Sequence, residues 1–291
     1  MPEIPPLDSG KLAISALAVM KRARQPITSV TAYDCPSGRL ADGAGIDIVL
    51  VGDSAAMTVL GYDSTLPIVM DEMVTLTGAV VRGVERAIVV ADMPFGSFQV
   101  SDETAVANAI RLARDGGADA VKIEGAGPSL SRARAIIDAG VPVMGHVGLT
   151  PQSVTQLGGY RVQGRTAEAA HRIVDEAHAL EAAGCFAVVL EAVPAPVAAR
   201  ITEGLDVPTI GIGAGASCDG QVLVWHDLLG ISTGHVPRFV KQYAQIGDAI
   251  AMALRAYVAD VRAGTFPSTE HTYPMPDDER RRFEQGWRRK A

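Results

Sequence analysis

The chain has 291 residues, 48% hydrophobic and 20% charged, with 33 acids against 26 Lys and Arg for a net charge of −7. That balance argues against a basic nucleic-acid surface, and no apolar run is long enough to span a bilayer; the expectation is a soluble, cytoplasmic protein acting on small molecules. Three widely spaced cysteines, Cys35, Cys185 and Cys218, fit neither a disulfide framework nor a Cys-based metal site and read as reduced thiols.

Residues 1–10 read as an extension, and 11–24 as a helix before the first strand that closes the bottom of the fold. From residue 27 the chain alternates between two kinds of segment. Short β-branched runs read as buried parallel strands: ITSVTA (27–32), DIVLVGD (47–53), AIVVADMP (87–94), AVKIEG (120–125), VPVMGHVG (141–148), AVVLEAV (187–193), PTIGIG (208–213) and, less regular, LLGIS (228–232). Between them lie Ala-rich stretches with helical spacing, such as 104–118, 129–141 and 169–184, several ending in a Gly that leads into the next strand. Eight such units predict an α/β protein with a single-domain (β/α)8 TIM barrel over 11–273. A doubly wound open sheet is the alternative, but no strand–turn–helix carries GxGxxG, and GIGAGA (211–216) breaks that spacing. The glycines of GIGAGASCDG also fit a phosphate cradle, a weak signal by itself. Residues 240–264 read as the closing helix. The charged tail 274–291 is either disordered or a short helix pinned by Phe283 and Trp287.

Acids arrive where the apolar runs end. Barrel enzymes keep their chemistry at the C-terminal ends of their strands. Those ends carry Asp53 and Ser54, Asp92, Lys122 and Glu124, His146, and Glu191. Lys122 and Glu124 are two apart, so both face the barrel interior, where a charge is costly unless paired. A single acid after a strand is as readily a loop cap. Four acids and a lysine at neighbouring strand ends point instead to a hard, oxygen-bound cation such as Mg2+. His146 reads as a hydrogen-bonded support rather than a ligand. No GxSxG surrounds Ser54, Ser153 or Ser217.

Taken together, TAYD (31–34), VGDS (51–54), GYDSTLP (61–67), ADMPFGS (91–97), VKIEG (121–125), GHVGLTPQS (145–153), GGYRVQGR (158–165), VLEAVP (189–194) and GIGAGASCDGQVLVWHDLLG (211–230) resemble the ketopantoate hydroxymethyltransferase family, in register from about residue 12 to Tyr273. The resemblance implies a barrel of the phosphoenolpyruvate mutase and isocitrate lyase type. It implies hydroxymethyl transfer from 5,10-methylenetetrahydrofolate to 3-methyl-2-oxobutanoate through a Mg2+-stabilised enolate, in pantothenate synthesis. It further implies Asp53 and Asp92 as metal ligands with Glu124 assisting, Asp53, Ser54, Asp92 and Lys122 on the oxo acid, Glu191 as general base, and a homodecamer. One departure is Cys35-Pro36 after TAYD, where the family more usually has an aromatic and a small residue. The competing readings are a lyase or mutase of the same superfamily, which a cysteine in the barrel mouth would favour, and a non-catalytic barrel.

Overall fold

Eight parallel strands hydrogen-bond in sequence order and close on themselves, β1 pairing with both β2 and β8. This is a computed structural model, and it describes residues 10–232, 234 and 236–287. The elements run α1 (Ile14–Arg22), β1 (Ile27–Thr31), α2 (Cys35–Gly43), β2 (Ile48–Val51), α3 (Ala55–Thr58), α4 (Met70–Val81), β3 (Ile88–Asp92), α5 (Asp102–Arg114), β4 (Ala120–Glu124) and α6 (Pro128–Asp138). They continue with β5 (Val143–Gly148), α7 (Val154–Leu157), α8 (Ala167–Ala182), β6 (Ala187–Glu191), α9 (Ala195–Gly204), β7 (Thr209–Ile212), β8 (Gly220–Leu223), α10 (Trp225–Leu228), α11 (Ile246–Ala263) and α12 (Asp277–Gly286).

Helices α2, α5 and α8 start where a short polar side chain takes up a free backbone N–H group. Asp34 and Ser37 form a reciprocal capping box at α2, Ser101 accepts from Thr104 N at α5, and Thr166 accepts from Ala169 N at α8. The strands alternate faces. Outward residues such as Val49, Val89, Ile123 and Leu190 pack with Leu112, Ile136, Leu180 and Ile201 of the helices. Inward residues Ile27, Ile48, Ile88, Met144, Val189 and Ile210 form a second core, which Leu17 and Met20 of α1 enter. Lys21 pins that helix, 2.8 Å from Asp219 Oδ2 and donating to Thr202 O. The lower barrel is therefore a mainly apolar plug, as expected of residues 11–24, and the charged inward residues gather towards the C-terminal ends of the strands.

The eighth strand is a correction. It is Gly220–Leu223, not LLGIS, whose Leu228 ends the short helix α10. The sequence GQVL carries no apolar run, and its glycine answers a packing need: a Cβ at Gly220 would lie 2.6 Å from Ile27 O. The chain divides into two compact units after Tyr243, and the helix expected to close the barrel, α11, belongs to the second. In that unit the tail forms α12, with the rings of Phe283 and Trp287 5.9 Å apart. Among the described residues no helix is long and apolar enough to cross a membrane.

Replacing Leu17 by Ala leaves a void beneath the barrel and should destabilise the protein by about 2–5 kcal/mol, with turnover per folded molecule retained. Denaturant unfolding checks this; an unchanged midpoint would remove α1 from the core.

Candidate active site

Pairing register brings the predicted residues together. Asp92 lies opposite Lys122, Glu124 opposite His146, and Gly148 opposite Glu191, on four consecutive strands, while Asp53 follows β2 by two residues. Asp53, Ser54, Asp92, Lys122, Glu124, His146 and Glu191 all line one cavity of about 100 Å³ at the C-terminal end of the barrel. Leu50, Val189, Ile212, Val222 and Val224 add apolar wall, with the hydroxyl residues Thr31 and Thr65 beside them.

Lys122 Nζ stands 3.1 Å from Asp92 Oδ1 and 3.3 Å from His146 Nδ1. The other Asp92 oxygen accepts from Asp53 N at 3.0 Å. His146 bridges two further acids, its Nδ1 3.5 Å from Glu124 Oε1 and its Nε2 3.2 Å from Glu191 Oε2. Asp53, Asp92, Lys122, Glu124 and His146 are each at most 6% exposed. Glu191 is the more open acid, its side chain 17% exposed.

Burial is the largest single influence on Asp53, Asp92, Lys122, Glu124 and His146, and their neighbours then separate them. Asp53 is pushed well up by burial and by the charges of Asp92 and Glu124, against the pull of Lys122 and the Gln152 hydrogen bond. Asp92 is also raised by burial, although Lys122 and the Asp53 N–H oppose it. Glu124 goes the other way: burial raises it, but His146, Lys122 and the Gln152 N–H together outweigh burial and hold it low. Burial and Lys122 push His146 down, yet contacts to Glu124 and Glu191 lift it to about 9. Lys122 is raised because its acids outweigh its burial.

Sequence reasoning missed the residue that joins these acids. Gln152 donates from Nε2 to Asp53 Oδ2 and to Met93 O, both at 2.9 Å, and from its backbone N to Glu124 Oε2 at 2.9 Å. The only signal was its place inside GHVGLTPQS; a neutral amide on a loop carries no chemical flag. Tyr33 was missed likewise. Its OH accepts from Thr31 Oγ1 at 2.9 Å and lies 2.8 Å from Ser54 Oγ, fixing that hydroxyl at the cavity wall. Gly148 is required beside the site, with φ +92 and an added Cβ only 2.3 Å from Glu191 O. Ala192, directly after Glu191, holds φ +48, a local strain next to a candidate functional group.

Several expectations lie elsewhere. Added Cβ atoms at Gly213 and Gly215 would meet Phe239 and Ala195, so these glycines serve close packing. Cys35, Cys185 and Cys218 are outside the cavity lining, and burial pushes the Cys185 thiol up to about 12. The Cys35-Pro36 departure sits in the first turn of α2 and leaves the cavity walls intact.

The donor set fits Mg2+. Asp92 Oδ1 and Glu124 Oε1 are buried oxygens without an aligned hydrogen-bond donor. Asp53 is raised first by burial and then by the charges of Asp92 and Glu124, which Lys122 only partly offsets. Among the described residues no three acid, His or Cys side chains form a ready ligand cage. Mg2+ needs none, since it binds through one or two carboxylates and keeps waters and substrate oxygens.

The ketopantoate hydroxymethyltransferase family model matches residues 11–269. The chain belongs to that family. It is 56% identical over 263 residues to the 3-methyl-2-oxobutanoate hydroxymethyltransferase of Moorella thermoacetica, covering 90% of this chain and 98% of that one. It is 54% identical to the Oryza sativa subsp. japonica relative named 3-methyl-2-oxobutanoate hydroxymethyltransferase 2, mitochondrial, covering 90% of this chain and 67% of that one. Among solved structures, phosphonopyruvate hydrolase in complex with oxalate and Mg2+ matches with TM-score 0.58 at 15% identity over 94% of this chain and 97% of that one. A 2,3-dimethylmalate lyase, a member of the PEP mutase/isocitrate lyase superfamily, matches with TM-score 0.56 at 16% identity, over 94% and 98%. These two likenesses establish the shared barrel fold.

Asp53 and Asp92 are both raised, but only Asp92 pairs directly with Lys122, and that difference separates their mutants. Burial already favours a protonated Asp53, so Asp53→Asn should keep the metal-free protein's melting temperature. Asp92→Asn strips the buried Lys122 of its direct partner and should cost about 3 kcal/mol. Both should lose most Mg2+ binding in calorimetry. Equal stability losses would contradict the assignment of the pair to Asp92.

Proposed function

We propose that the chain transfers a hydroxymethyl group from 5,10-methylenetetrahydrofolate to 3-methyl-2-oxobutanoate, giving 2-dehydropantoate and tetrahydrofolate. One observation carries the reading: a single small cavity holds a lysine–aspartate cluster on one side and, beyond His146, a separate carboxylate, Glu191, with apolar walls between. A short branched 2-oxo acid has that polarity. Its oxygens suit Lys122, Ser54 and the Asp53–Asp92 edge, and its isopropyl group suits Leu50, Val189 and Val222. The relatives' names and the family support the same substrate.

Mg2+ would be held by Asp53 and Asp92 with Glu124 assisting, and when bound it supplies positive charge where the oxo acid's oxygens become negative. Lys122 adds a fixed cation to the same side, which favours enolate over ketone. Glu191 takes the proton from C3, and His146 holds that carboxylate in place. The C3 carbanion equivalent then attacks the donor's methylene carbon, forming the new C–C bond. Both carbon–nitrogen bonds that hold the methylene, to N5 and to N10, break; water supplies the hydroxyl oxygen, and one of its protons together with the proton taken from C3 ends on the two nitrogens, so the overall reaction consumes one water. We also place the protein in the cytoplasm and infer a homodecamer; the exposed apolar residues of α11, among them Ile250, Leu254 and Val261, support assembly.

Exchange of the C3 hydrogen in D2O, followed by NMR without folate, isolates the base. Wild type should exchange it. Glu191→Gln should bind Mg2+ and the oxo acid normally yet exchange roughly 10²–10⁴-fold more slowly. A variant exchanging at the wild-type rate would pass the role to His146.

A further inference from the structure

A second cavity, of about 350 Å³, lies beside the first, and Glu124 lines both. Its wall is apolar on one side, with Leu66, Phe95 and Phe98, and carries side-chain amides and hydroxyls on the other, with Gln99, Gln152 and Gln156 among them. Phe98 is fully buried, whereas Phe95 is 49% exposed and so leaves ring surface free at the cavity. Apart from Glu124, no lining residue is charged.

The two cavities are joined by a hydrogen-bonded amide chain. Gln99 Oε1 accepts from Gly96 N at 2.7 Å and from Phe98 N at 3.3 Å, which fixes the loop that carries Phe95. Gln99 Nε2 donates to Gln152 Oε1 at 3.3 Å, and Gln152 Nε2 donates to Asp53 Oδ2. The position of Phe95 is thus tied to an acid of the oxo-acid cavity.

We propose that this second cavity holds the bicyclic pterin ring of the carbon donor, with Phe95 as its stacking surface; the assignment rests on the folate-dependent reading above. The first cavity is filled by the oxo acid, so the donor's methylene carbon must come to C3 from a neighbouring space that shares a wall with it. A reduced pterin has flat, apolar faces and an edge of amide N–H and C=O groups. Aromatic and aliphatic side chains match the faces, and glutamine amides match the edge, each offering donor and acceptor. The lack of Lys or Arg in the lining argues against a phosphorylated ligand, which wants such partners. It also leaves the donor's anionic glutamate tail directed outward to solvent.

The test compares wild type with Phe95→Ala and with the exposed-site variant Gln156→Ala. Tetrahydrofolate binding is measured by calorimetry, KM for 5,10-methylenetetrahydrofolate by turnover, and C3 exchange in D2O without folate. Phe95→Ala should weaken tetrahydrofolate binding and raise the donor KM by roughly tenfold, Gln156→Ala by less, and Phe95→Tyr should restore both. The exchange reaction, which needs no donor, should proceed in all variants and shows that the barrel is folded. Wild-type tetrahydrofolate affinity and donor KM in Phe95→Ala, with exchange intact, would overturn the cavity assignment alone. A wild-type enzyme that exchanges C3 yet neither binds tetrahydrofolate nor turns over the donor would overturn the folate reading, and this inference with it.

Discussion

The buried contact between Lys122 and Asp92 governs the rest of the site. Placing a lysine inside a barrel removes it from water at a cost of several kcal/mol, and only close, well-placed acids offset that cost. Parallel register supplies them: Asp92 is the direct neighbour of Lys122 on the next strand, and Glu124 lies two residues on, on the same face. The surplus of carboxylates then has to be managed in turn. His146 answers Glu124 and Glu191, and Gln152 answers Asp53 and Glu124. Each added partner fixes another side chain, so the cavity's shape follows from satisfying one buried cation.

This cluster is possible because the barrel is solid below it. The inward residues change character along each strand: Ile88 and Val90 precede Asp92 on β3, and Ala187 and Val189 precede Glu191 on β6. With Leu17 and Met20 closing the lower end, water reaches the charges only from above. Low polarity beneath strengthens each contact in the cluster, and raises the cost of leaving any oxygen unanswered.

How much of this is legible in the sequence depends on which physical signal each residue leaves. Seven strands announce themselves because parallel strands buried on both faces are continuous apolar runs. The acids at their ends stand out by contrast with those runs, which is why Asp53, Asp92, Glu124 and Glu191 are found without a structure. GQVL leaves no such signal. It pairs with β7 through only two residues, and its central needs are a missing Cβ at Gly220 and neighbours far away in the chain. Gln152 and Phe95 are silent for a different reason: their meaning comes from loops that the closed barrel brings together, Gln152 reaching Asp53 across 99 residues of sequence. The division of the chain after Tyr243 is equally unmarked, since α11 has the amphipathic pattern of any barrel helix.

Four acids share the cavity, and exposure separates one of them from the other three. Asp53, Asp92 and Glu124 are buried, and Asp92 and Glu124 each keep one oxygen without an aligned hydrogen-bond donor, a setting that suits the cation we propose between them. Glu191 is different: it ends β6 beside the strained Ala192, remains partly open to solvent, and meets the cluster through His146. A base that removes a proton in every cycle must also release it before the next. Glu191, the most exposed of the four carboxylates, fits the base we propose, and its contact with His146 keeps it at the same cavity as the other three. The proposed separation between cation site and base follows strand position, with Asp53 just after β2, Asp92 on β3, Glu124 on β4, and Glu191 two strands further round the barrel on β6.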